Sequence, residues 1–209
     1  MATAAFATQY AATDEVRLDA ATHTYYRHGR PVPGVTRALS RAGILDFTGI
    51  PQYVLDRAAE RGRAVHLALE YLDAGTLDPA SVSEEVAPYV RAYERFCADT
   101  GFIPGASERS RYNGTYGYAG TFDRTGLIGN QVILLDFKTG EFQKGYFSQL
   151  AAYLRFFRDP RRFRAVALRL FDNARYRLHE MPILELDYYW NLFRAALVCE
   201  QWRIAEGRS

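Results

Sequence analysis

The sequence predicts an α/β sandwich with a central mixed β-sheet flanked by helices. Apolar residues recur at threes and fours over 51–74 and again over 83–100, which is helical spacing. Residues 108–138 then break into strand-like runs separated by turn residues. From there to the end helix and strand alternate, an order that lays helices against a mixed sheet.

The elements follow in order. Thr22–Arg27 and Pro31–Pro33 flank His28-Gly29, where glycine supplies the turn of a short hairpin. Thr36 is placed to cap a brief helix that runs to Ala42 and stops at Gly43. Pro51 suits the first turn of the next helix and Gly75 its end, with Val54, Leu55, Ala58, Val65, Leu69 and Leu72 as its stripe. On that helix Gly62, His66 and Glu70 share one face. Ser81 and Glu84 have capping-box spacing ahead of a helix over 83–100, striped by Val86, Val90, Tyr93 and Cys97. Glu108–Tyr112, an Asn113-Gly114 turn, Tyr116–Thr125 and Gln131–Lys138 read as three antiparallel strands. In the third, Ile133, Leu135 and Phe137 share one face and Asp136 and Lys138 the other. A helix over 146–158, strands over 163–171 and 175–181, and a closing helix over 186–204 complete the chain. No Pro-, Gly- or Ser-rich run divides its 209 residues, so a single domain is expected over 1–209. It has a hairpin and short helix over 1–45, a core over 51–181 and a C-terminal helix over 185–209.

Composition excludes more than it selects. A chain 48% hydrophobic and 24% charged is globular rather than disordered, with a bias toward tyrosine. A net charge of +2 does not by itself announce a polyanion partner, although Arg155 to Arg177 is locally basic and would serve as a phosphate-facing surface or a solvated face equally well. Cys97 and Cys199, each inside an expected helix, build neither a disulfide framework nor a zinc or iron–sulfur site; two buried free thiols are expected. Met1–Ala12 lacks the basic and apolar regions of a leader, and no apolar run approaches about 18 residues. A soluble, cytoplasmic protein without membrane contact is the expectation.

The chemistry gathers around Asp136-Phe137-Lys138. Neighbouring strands lie about 4.8 Å apart, so Asp123 and Asp136, each expected near the end of its strand, can place both carboxylates around one hard divalent cation. Mg²⁺ or Mn²⁺ would suit them, with the backbone carbonyl of Phe137 as a third oxygen. Lys138 falls about 7 Å along from Asp136 on the same face, within reach of a water on the metal. An ordinary ion pair of Lys138 with Asp136 would look the same in sequence. Gly120 marks a close approach where a side chain would obstruct.

In this order and on these elements, Gly62 with His66, Glu108, Gly120 with Asp123, Asp136-x-Lys138-Thr139 and Gln149 with Tyr153 resemble the RecB-like branch of the PD-(D/E)XK nuclease superfamily. The likeness extends over 62–153 and is similar to the pattern of RecB and RecE exonucleases and small phage nucleases. It implies the restriction-endonuclease-like form of the sandwich and a Mg²⁺- or Mn²⁺-dependent deoxyribonuclease. Asp123 and Asp136 would be metal ligands, His66 would complete the metal shell and Lys138 would be the catalytic lysine. Gln149 and Tyr153 would position the DNA backbone or the lysine. Glu108 is either a ligand or a sheet residue near the site, and Glu70 either a contributor or a solvated glutamate. Arg155, Arg158, Arg161 and Arg162 would neutralise phosphates as a group. Thr22–Tyr25 and Pro33-x-Val35-Thr36 resemble the N-terminal segment of phage-type members. Relatives with an iron–sulfur cluster need four cysteines, so that sub-branch is excluded.

The resemblance also implies DNA as partner, with a single-strand annealing or recombination protein as a second, an oligomer such as a trimer, and the bacterial host cytoplasm as location if the protein is phage-encoded. A non-catalytic nucleic-acid-binding module, or a subunit acting only within an assembly, is the reading from a different class.

Overall fold

A computed structural model describes residues 16–19 and 22–208; Met1–Ala12, the segment without leader features, lies outside the described residues. A small antiparallel sheet comes first: β1 (Arg17–Asp19), β2 (Thr24–Arg27) and β3 (Arg30–Val32). His28 and Gly29 both take positive φ, 49° and 74°, the conformation that turns a two-residue hairpin. The segment after it is stitched to the main sheet where Ala119 N donates to the Pro33 carbonyl.

Helix α1 (Val35–Arg41) follows, with Gly34 and not Thr36 at its N-cap. Thr36 already lies inside the first turn, and its hydroxyl is engaged elsewhere. Helix α2 (Gln52–Asp73) matches its expected span. Helix α3 (Ala87–Thr100) starts later than its Ser81/Glu84 signature suggests, because Asp78 instead caps a 3-10 turn at Pro79–Ser81 through Ala80 N. Gly101 at φ 67° ends it.

The main sheet contains β4 (Ile103–Asn113), β5 (Tyr118–Ile128), β6 (Gln131–Lys138), β7 (Phe163–Leu170) and β8 (Tyr176–Met181), in that spatial order. β6 and β7 are parallel and every other pair antiparallel, so the sheet is mixed, as the element order predicts. The parallel pair requires a crossover, supplied by α4 (Gly145–Leu154). β4 begins earlier than expected; its first residues, with Pro104 and Gly105, carry a register shift that masks alternation. The loop after it is longer than an Asn113-Gly114 turn: Asn113 Oδ1 accepts from Thr115 N and Tyr116 N, and the positive φ falls on Gly117. Helix α4 stops at Leu154 rather than running on through 158, since the chain turns to bury Phe156 and Phe157 and Asn113 Nδ2 takes the Arg155 carbonyl. Helix α5 (Leu186–Ala205) closes the chain.

Two apolar layers sandwich the sheet. On one face α1, α4 and α5 pack against Leu134, Ala165 and Ala167; on the other α2 and α3 pack against Ile133, Leu135, Phe137, Val166 and Leu168. Alternation along β6 and β7 is thus realised. Cys97 is half-buried, its thiol pushed up to about 11 by burial, but Cys199 is exposed on the outer side of α5, contrary to the expected pair of buried thiols. No helix among the described residues is long and apolar enough to cross a membrane.

Candidate active site

The site lies where two strands part. β5 pairs with β6 only from Ile128↔Gln131 to Arg124↔Leu135, while β5 runs on beside β4 to Tyr118 and β6 runs on beside β7 to Lys138. Asp123 and Asp136 flank the opening of this fork. Asp123 Oδ2 accepts the Phe137 N–H at 2.6 Å, so a carboxylate replaces the ladder hydrogen bond that the departing strand gives up. Asp123 is therefore mid-strand, not near a strand end as expected, and its neighbours show why the chain can fork there. Phe122 packs in the α4/α5 layer and Arg124 in the α2/α3 side beside Asp73, so β5 coils sharply about Asp123.

Helices from both layers close on the fork. From α2, His66 Nδ1 stands 3.3 Å from Asp123 Oδ1 and its ring lies edge-on to Phe137. Lys138 Nζ is 2.5 Å from Asp136 Oδ2, 3.0 Å from Gln149 Oε1 on α4, and 4.4 Å from the centre of the Tyr146 ring. Gln149 Nε2 donates to Thr36 Oγ1 at 2.9 Å and to the Tyr153 hydroxyl at 3.0 Å. A Cβ on Gly120 would come within 2.9 Å of both the Tyr153 ring and Val35, so the close approach read from sequence is to side chains. These groups line a cleft of about 470 Å³ that also takes in Gly62 and Glu70.

Burial dominates the electrostatics. It raises Asp136, to which Asp123 adds repulsion against the relief given by Lys138, and the carboxyl is pushed up to about 6. For Asp123 burial also acts upward, but His66, Lys138 and the Phe137 N–H outweigh it and hold the acid below its usual range. Lys138 is desolvated too, yet the two acids keep it charged with a raised pKa. Burial keeps the Tyr153 hydroxyl neutral.

Two carboxylates, one of them close to an imidazole, form the hard donor set that a divalent cation takes. Asp136 Oδ2 is buried and, despite the nearby ammonium, accepts no well-aligned hydrogen bond, which leaves a lone pair for such an ion. The chemistry of the residues fits. As the side chains stand, each acid also has protein partners, and among the described residues no three His, Cys, Asp or Glu converge as a ready-made metal cluster.

Not every candidate reaches the cleft. Glu108 is in β4, and its side chain lies outside the described residues. The arginines sit at the other end of the sheet: Arg162 offers its carbonyl to Gln131 at the start of β6, about 15 Å of strand away from Asp136, and Arg155 and Arg161 both pair with Asp187. Arg158 lies in the same loop, so none of the four is brought to the acids. Conversely, sequence reasoning did not place Leu18, His23, Tyr25, Thr36, Arg63 and Thr121 in the cleft wall, where the structure has them. The Thr22–Tyr25 and Pro33–Thr36 segments were visible as a likeness, but nothing local says that a hairpin folds over a site a hundred residues on. Its seating is explicit here: the Tyr25 hydroxyl is 2.9 Å from Thr121 Oγ1, itself 2.8 Å from Ser110 Oγ.

No family model and no curated protein matches the chain. Among solved structures it is similar to an alkaline exonuclease (LHK-Exo) from Laribacter hongkongensis, at 16% identity over 85% of this chain and 95% of that one, with a TM-score of 0.40. LHK-Exo in complex with dAMP aligns at 15% identity over 85% and 94%, with a TM-score of 0.31. SSO0001 aligns at 15% over 65% and 70%, with a TM-score of 0.28. Overlap this loose does not carry an assignment of activity, which rests on the cleft itself.

Chemically the cleft offers carboxylate and imidazole oxygen and nitrogen donors on one side and a fixed ammonium on the other. That pairing suits a substrate with a negatively charged centre attacked by water.

Proposed function

We propose that the chain is a metal-dependent DNA nuclease, acting as an exonuclease in phage or bacterial recombination or DNA processing. The observation that carries this reading is the fork, which brings Asp123, Asp136, His66 and Lys138 to one cleft from three separate elements. Mg²⁺ or Mn²⁺, held by Asp123, Asp136, His66 and the Phe137 carbonyl, would supply Lewis acidity toward water and the phosphoryl oxygens.

The protein's own residues do the rest. Lys138, kept protonated between two acids, acts as a charge donor: its ammonium stabilises the negative charge that builds on the phosphoryl group. Asp136 and Gln149 hold that ammonium in place, and the Tyr146 ring face lies 4.4 Å from it. His66 orients Asp123. The Tyr153 hydroxyl braces Gln149. Among the described residues the cleft hydroxyls of Tyr25, Thr36, Thr121 and Tyr153 are engaged with protein partners, which favours direct attack by water over a covalent enzyme intermediate.

End-labelled linear DNA and closed circular DNA, incubated with Mg²⁺, Mn²⁺ or EDTA, test the reading. Metal-dependent loss of the linear form alone is expected. Cutting of the circle assigns an endonuclease, and retention of DNA without cleavage in either metal would replace the enzyme with a binding module.

A further inference from the structure

The Gln149 carboxamide is buried, 4% exposed, and meets three polar neighbours. Lys138 Nζ lies 3.0 Å from its Oε1, while Thr36 Oγ1 and the Tyr153 hydroxyl lie 2.9 and 3.0 Å from its Nε2. An ammonium has only hydrogens to offer, so it must face the carbonyl end of the amide. Turned by half a circle, the amide would press its NH₂ against the ammonium. The ammonium, which cannot accept, decides against that orientation, and the two hydroxyls at the far end accept from the NH₂ that then faces them.

Those hydroxyls are not equivalent. Tyr153 is one turn along the same helix and moves with Gln149. Lys138 ends the strand that leads into that helix. Thr36 comes from α1, 113 residues away in sequence, and gives the carboxamide its anchor outside the β6–α4 unit. α1 is itself tied down, because Arg37 and Arg41 reach the buried Glu200 of α5 at 3.8 and 3.3 Å.

We infer that Thr36 is a positioning residue for Lys138: by accepting from Gln149 Nε2 it locks the carboxamide with Oε1 toward the ammonium and so sets where the lysine's charge stands in the cleft. Its effect on turnover rests on the nuclease reading; its geometry does not.

Two measurements separate these. In metal-dependent cleavage, Thr36→Val keeps the side-chain shape without the hydroxyl and lowers kcat roughly ten-fold, the worth of one hydrogen bond to a charged network, with KM little changed. Thr36→Ser restores kcat. In a Gln149→Met background Thr36→Val has no further effect, because the path from Thr36 to Lys138 is already cut. Independently of activity, NMR signals of the Gln149 carboxamide and the Lys138 ammonium are sharp and slow to exchange in the parent and in Thr36→Ser, and lost in Thr36→Val. Thr36→Ala, with melting followed by circular dichroism, replaces the valine variant if that one does not fold. Unchanged spectra in the hydroxyl-free variant, or an equal loss of kcat with and without Gln149, would overturn the inference. If the parent cleaves no DNA, the nuclease reading falls and the spectra alone decide for or against Thr36.

Discussion

Asp136 and Lys138 are two residues apart on β6 and mutually dependent: the acid is uncomfortable where it is buried, and the lysine is charged because acids surround it. Asp136→Ala and Lys138→Ala are each expected to abolish metal-dependent cleavage while far-UV circular dichroism stays native; full turnover in either sinks the mechanism. The acid also has a stability signature. Its carboxyl stands at about 6 in the folded chain against 3.8 unexposed to the fold, so the native state holds the proton more tightly. The stabilisation that follows is complete below about pH 4 and is lost as pH rises through 6, on the order of 2–3 kcal/mol for so buried a group. Asp136→Asn does not suffer that loss. Its urea midpoint should therefore rise relative to the parent between pH 4 and 7 and run parallel above; a constant offset across the whole range would contradict the burial argument.

Among elements, the decisive relation is between α2 and β5. Two cross-links join them on successive strand residues: Asp123 with His66, and Arg124 with Asp73 two helical turns further on. Arg124 is 1% exposed, 2.6 Å from Asp73, with the Tyr93 hydroxyl donating to the same carboxylate at 3.1 Å. A buried pair of this kind contributes register more surely than net stability. Arg124→Met alone leaves the half-buried Asp73 with one neutral donor and should cost about 3 kcal/mol. Combined with Asp73→Leu, much of that should return; equal destabilisation of the single and double variants in guanidinium would show that the pair does not act as a unit. The hairpin β1–β3 matters at the same scale, since it brings His23 and Tyr25 over the acids from the far end of the sequence.

Across the whole molecule, the last described helix supports the first described one. Glu200 on α5 is 1% exposed and stands within 3.3–3.8 Å of Arg41, Arg203 and Arg37, so α5 braces α1, which in turn presents Thr36. Glu200→Gln removes the shared counter-charge while keeping the size. A loss of about 1–3 kcal/mol is expected, moderated because the arginines are partly solvated. Thermal melting checks it, and an unaltered melting temperature would show that the brace is idle. Arg155 and Arg161, by contrast, face Asp187, and Arg162 lies beside the start of β6, so the basic run does not mark where the acids are.

Local regularity was enough to read most of the architecture. Helical stripes announced α2 and α3, alternation sorted Ile133, Leu135 and Phe137 from Asp136 and Lys138, and the element order implied a mixed sheet, because periodicity and turn chemistry are properties of neighbouring residues. Strand geometry grouped Asp123, Asp136 and Lys138, and the resemblance to the RecB-like pattern added His66, Gln149 and Tyr153; the structure does bring the six together. It failed where partners are remote. Thr36 and Ser81 look like caps in isolation, but tertiary contacts gave Thr36 to Gln149 and left α3 to start elsewhere. Only the tertiary structure decided that β6 leaves β5 at Asp123, that α1 and a hairpin wall the cleft, and that the arginines stand at the opposite end. Each depends on which strand or helix a residue meets away from its own element, 14 positions off for Asp123 with Phe137 and 113 for Thr36 with Gln149, and no local pattern encodes that meeting.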